Sequence, residues 1–123
     1  MANPKQMRQL MEKTIALAGD IPVILHLHNT ENKGLANVYA ATEAGVRYFD
    51  TAFGGLGGCP FIKSATGNIA TEDTAHMLHQ MGYETGIDIG KLTELSEEMQ
   101  EFIGTELQGQ LYKLWNNPEI KVV

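Results

Sequence analysis

Hydrophobic positions recur at helical spacing near the start of the chain. Met7, Leu10, Met11, Ile15 and Ala18, with Thr14, fall on one face. Asn3-Pro4 stands just before them, a residue that caps orphan amides followed by one that needs no N–H at the first helical position. A helix is therefore predicted up to Gly19-Asp20. Ile21 to His28 is a nearly continuous apolar run rich in β-branched residues, which reads as a buried parallel strand. Gly34 to Ala44 predicts a second helix, with Leu35, Val38, Tyr39 and Thr42 on one side and Gly45 as its stop. Val46 to Thr51 predicts a second buried strand, and Ala52 to Gly67 a long loop. A third helix starts at Thr71, with Glu72 and Asp73 near the positive end of its dipole, and closes at Gly82. Lys91 to Ile103 predicts a fourth, with Leu92, Leu95, Met99 and Phe102 as its apolar stripe. The stretch after Gly104 is weakly patterned.

Helix, strand, helix, strand, loop, helix is an α/β alternation. Two clear strands and a short one near Ala65–Ile69 are too few to close an eight-stranded barrel, which takes roughly 250 residues.

The chain has 123 residues, 43% of them hydrophobic and 20% charged, which suits one globular domain. A formal net charge of -6 argues against nucleic acid or an anionic membrane as partner, because no basic stripe can neutralise phosphates. No apolar run is long enough to span a membrane. The single cysteine excludes an internal disulfide and fits a reducing compartment, so a cytoplasmic location is expected, with no leader visible at the N-terminus.

Candidate chemistry gathers in two places. His26 and His28, two apart on a strand, point the same way. They suit either a bidentate metal platform or a pair satisfied by backbone carbonyls. The second place is the glycine-rich stretch Gly54 to Asn68, where Cys59 follows Gly57-Gly58. Cys59 reads either as a reactive thiol on an exposed loop or as a small residue tolerated there. Asn68 can give a carbonyl oxygen to a hard metal ion or simply turn the chain into the next helix. Glu72 and Asp73 read first as dipole partners. His76 and His79 read as surface residues with no third ligand at matching spacing. The methionines read as core filler.

The segments His26-Leu-His-Asn-Thr30, Gly55-Leu-Gly-Gly-Cys-Pro-Phe61, Ala65-Thr-Gly-Asn68 and Ala70-Thr-Glu-Asp73 resemble 3-hydroxy-3-methylglutaryl-CoA lyase. The wider group is the metal-dependent TIM-barrel lyases and condensing enzymes. The resemblance runs to about Gly104. The Gly-Leu-Gly-Gly-Cys-Pro segment is the lyases' own, and the Gly-Glu-Arg of the sister condensing enzymes is missing. Ile62-Lys63-Ser64 replaces the Ala-Pro-Gly common in this loop.

The resemblance implies a partial TIM (β/α)8 barrel over residues 1–104, from the helix after the fifth strand to the helix after the eighth, plus a C-terminal helix, with 105–123 as a tail. The Arg-Asp pair of the first strand then has no counterpart here. It implies Mg²⁺ or Mn²⁺ as cofactor, held by His26, His28 and Asn68. It further implies His26 and Cys59 as catalytic residues, Glu72 as site support and an acyl-CoA as substrate. Barrel edges left open would favour self-association. A fragment without catalytic function and an acyl-CoA condensing enzyme are the alternatives.

Overall fold

The computed structural model describes residues 2–58 and 67–120. Helix α1 spans Pro4–Ala18. Asn3 caps it through a reciprocal pair of bonds, its Oδ1 accepting from Gln6 N at 2.9 Å while Gln6 Oε1 accepts from Asn3 N at 3.0 Å. Strand β1 is Ile24–His26, α2 is Gly34–Glu43 and β2 is Tyr48–Asp50. The two strands run parallel, with Ile24 opposite Tyr48, Leu25 opposite Phe49 and His26 opposite Asp50. Helix α2 is the crossover that parallel pairing requires.

The remaining helices are α3 (Thr71–Gln80), α4 (Ile89–Ile103) and the short α5 (Leu111–Trp115). The main core joins Met7 and Met11 of α1, Val38, Ala40 and Ala41 of α2, Leu78 of α3, and Leu27, Val46 and Ile69. Leu25 and Phe49 point into it from the sheet. A smaller cluster of Ala75, Ile89 and Leu111 ties α3, α4 and α5.

The α/β order of the sequence holds, with three corrections. The strands are three residues each rather than eight and six, and both are buried on one face only. Ile24, His26, Tyr48 and Asp50 are exposed on the other. A continuous apolar run reads as buried on both sides, yet among the described residues helices cover one side alone. The third strand is also absent from the described part of its range. Residues 67–71 instead bridge the C-terminal ends of both strands: Asn29 N donates to Gly67 O, Ile69 N to Leu27 O, Ala52 N to Ile69 O and Thr71 N to Ala52 O.

The third correction concerns α4, which buries Ile89, Thr93 and Ser96. Leu95 and Phe102 of the expected stripe stay exposed. Hydrophobic period locates a stripe, but the partner decides which face is covered, and here it offers Ala75 and Leu111 to Ile89 and the Glu72 carboxylate to Ser96. The stretch after Gly104, weakly patterned in sequence, carries α5 and buries Leu107, Leu111 and Tyr112.

Candidate functional site

Side chains on β1 alternate, so His26 and His28 share the face opposite Leu25 and Leu27. The Nε2 atoms of the two rings lie 3.1 Å apart, with ring planes 67° from each other. Behind His26, Asp50 Oδ2 lies 3.0 Å from Nδ1. These residues are register partners, so the sheet itself delivers the carboxylate to the ring. Metal-binding histidines characteristically have such an acceptor on the far nitrogen. Asp50 escaped the sequence reading because its position depends on pairing across 24 residues. The one available signal was a carboxylate ending the second strand as His26-Leu-His28 ends the first.

Asn68 forms a bridge with His28. Its Nδ2 donates to Leu56 O at 2.8 Å. Its Oδ1 is buried and accepts nothing among the described residues. An orphaned buried carbonyl on the residue bridged to His28, together with two converging imidazoles, has the donor chemistry of a hard divalent ion's site, which takes mixed nitrogen and oxygen donors. Among the described residues no three His, Cys, Asp or Glu side chains gather as a metal cluster. The expected set of His26, His28 and Asn68 has an amide as its third donor.

The glycine loop is held from beneath. Gly54, Gly55 and Gly57 have φ of 64°, 69° and 96°, where a side chain is strained. A Cβ on Gly57 would meet Asn68 Nδ2 at 2.8 Å, and one on Gly67 would meet Gly57 O at 1.6 Å. The two arms of the loop therefore touch backbone to backbone. Cys59, with the rest of 59–66, lies outside the described residues.

Glu72 is fully buried. Its Oε2 accepts from Gly54 N at 3.0 Å, and its Oε1 from Ser96 Oγ at 2.9 Å. It fastens the start of the glycine loop to α4. Asp73 accepts from Gln110 N and Leu111 N, fixing the entry of α5. Gln108 and Gly109 donate from their backbones to Gly54 O, and Gln108 Oε1 accepts from Gly67 N at 2.5 Å. His76 stacks edgewise on Trp115 and His79 bonds Thr85, so neither joins the pair on β1.

The HMGL-like family model matches residues 1–99. The chain belongs to the HMGL-like family. It is 45% identical over 107 residues to a (R)-citramalyl-CoA lyase of Chloroflexus aurantiacus, covering 87% of this chain and 34% of that one. It is 38% identical over 106 residues to a hydroxymethylglutaryl-CoA lyase of Bacillus subtilis, covering 86% of this chain and 36% of that one. Among solved structures, it superposes on an HMG-CoA lyase from Acinetobacter baumannii in complex with coenzyme A and 3-methylmalate. That match has a TM-score of 0.89 and 41% identity, over 100% of this chain and 40% of the other.

The chain is thus of the HMG-CoA lyase type, in a TIM-barrel family of carbon–carbon lyases. It spans about a third of the length of the curated relatives it matches. The sequence resemblance to this family is confirmed.

Proposed function

We propose that this chain carries the metal-binding half-site of a carbon–carbon lyase that cleaves a β-hydroxyacyl-CoA. In this reading it forms the barrel from the helix after strand five to the helix after strand eight. The observation that carries the proposal is the convergence of the His26 and His28 Nε2 atoms, with the unpartnered Oδ1 belonging to Asn68, the residue bridged to His28. His26, His28 and Asn68 would hold Mg²⁺ or Mn²⁺. When bound, such an ion polarises the substrate's hydroxyl and lowers its pKa.

His26 is the base that takes the hydroxyl proton, its Nε2 being off the ion when it does so. The electron pair of the bond between the α and β carbons then passes to the α carbon. The β carbon becomes a ketone, and the thioester leaves as an enolate. Cys59 is the donor that returns a proton to that carbon. Glu72 supports the site by holding the loop on which Cys59 lies.

Two substrates fit this chemistry, and they differ by one methylene. 3-Hydroxy-3-methylglutaryl-CoA would give acetoacetate and acetyl-CoA. Citramalyl-CoA would give pyruvate and acetyl-CoA. The second reading is favoured by the 45% identity to a citramalyl-CoA lyase. We infer that the chain alone turns over neither, because the first-strand aspartate and arginine have no counterpart here. Losing one electrostatic stabiliser costs about 10²–10³ in rate.

The test supplies the N-terminal two-thirds of a relative, in cis or as a second chain, with Mg²⁺. Acetoacetate and pyruvate release are measured from the two thioesters. Cleavage of one of them that depends on Cys59 is expected. A completed barrel that stays inactive on both would reject the lyase reading. Robust turnover by the chain alone would reject the half-site.

A further inference from the structure

We propose that Asp50 is a positioning residue that selects which ring nitrogen of His26 carries the proton, and through it the tautomer of His28. The register of β1 and β2 sets Asp50 directly opposite His26, and the carboxylate oxygen reaches Nδ1 at 3.0 Å. An ionised carboxylate only accepts, so Nδ1 must be the donor. A neutral imidazole has one N–H, so Nε2 of His26 is left with its lone pair. That lone pair faces His28 Nε2 at 3.1 Å. Two lone pairs would repel at this distance, so His28 Nε2 carries the hydrogen and donates. The chain of Asp50, His26 and His28 therefore has one direction, with opposite tautomers on two neighbouring rings.

This direction matters for the site. Free histidine prefers the Nε2–H tautomer, which would present a hydrogen, not a lone pair, at the point where the rings converge. Both roles assigned to His26, ligand and base, need that lone pair, and only one of them uses it at a time. The carboxylate that fixes Nδ1–H keeps Nε2 available to either. Nor is this contact built for stability. The His26 and Asp50 side chains are 49% and 64% exposed, a setting in which such pairs contribute little to folding.

The inference rests on His26 as a site residue, yet it is tested without substrate or metal, so its failure is separate from that of the lyase reading. Ring nitrogen chemical shifts are measured on the ¹⁵N-histidine-labelled chain with chelator present, at alkaline pH. His26 is expected as Nδ1–H and His28 as Nε2–H. In Asp50→Ala, His26 should revert to mainly Nε2–H while the unfolding midpoint barely moves. Asp50→Asn, whose amide oxygen still accepts, should keep the wild-type pattern. His26 found as Nε2–H in the wild type would overturn the proposal without any variant. An unchanged His26 tautomer in folded Asp50→Ala would overturn it as well.

Discussion

Asn68 has an amide whose two ends differ: Nδ2 is held by Leu56 O, while Oδ1 is buried and accepts nothing among the described residues. If that oxygen is a ligand, Asn68→Ala should weaken Mn²⁺ binding by about tenfold or more, the scale on which even supporting groups act. Metal titration followed by electron paramagnetic resonance reads this directly, and an unchanged isotherm would remove Asn68 from the site. Glu72 presents the opposite case, a buried side chain with both oxygens engaged. In Glu72→Ala, Ser96 keeps its bond to Leu92 O, but Gly54 N–H is stranded. An unmet buried donor costs about 1–3 kcal/mol. The urea midpoint should fall clearly for Ala and less for Gln, which retains an acceptor. Equal midpoints for Ala and wild type would show that the bond carries no stability. Strand parity is local, so the sequence could place His26 and His28 on one face; Asn68 joined the expected set only through the resemblance to the family. Sequence reasoning could not reach Asp50, nor the partners of Glu72, because both depend on which distant backbone comes alongside.

Helix α4 makes the same point one level up. Its apolar spacing predicts a helix, and the helix is present, but Thr93 and Ser96 lie inward where Leu95 and Phe102 were expected. Period reports amphipathicity; the choice of face belongs to Glu72 on α3, which needs a hydroxyl. The helix start was more legible in kind than in place, beginning at Ile89 with Asp88 as its cap. The backbone N–H of Lys91 holds the Asp88 carboxyl below the ordinary aspartate value of 3.8. A depressed folded value means that the stabilisation is present above the unfolded pKa and fades as pH falls through the folded one. Asp88→Asn caps without charge. The stability advantage of wild type over this variant should therefore be constant near neutrality and shrink below pH 3.8. Chemical unfolding across that range reads it; an advantage that grows in acid would contradict the cap's charge as its source.

Across the whole molecule, the described sheet has two strands, and helices cover only one of its faces. Ile24 and Tyr48 are 67% and 57% exposed on the other face, opposite each other in register. Open strand edges beside exposed apolar residues invite pairing with another chain. Light scattering should report a mass above the 13.5 kDa of one chain, and Tyr48→Lys should lower it. A wild-type chain that runs as a sharp monomer would count against the open face. The alternation of helix and strand was legible at this scale; the open face was not, because an apolar run does not say whether its second partner belongs to the same chain. The support beneath the glycine loop adds a temporal consequence. Gly54 O and Gly67 N–H find their partners in Gln108 and Gly109, and α5 is seated by Asp73. A growing chain emerges N-terminus first. The histidine pair and its carboxylate can thus assemble as soon as β2 leaves the ribosome, whereas the far arm of the loop gains its latch only when Gln108, 41 residues beyond Gly67, arrives. The histidine pair is made early and its neighbouring loop locked late, by the very stretch whose sequence announces least.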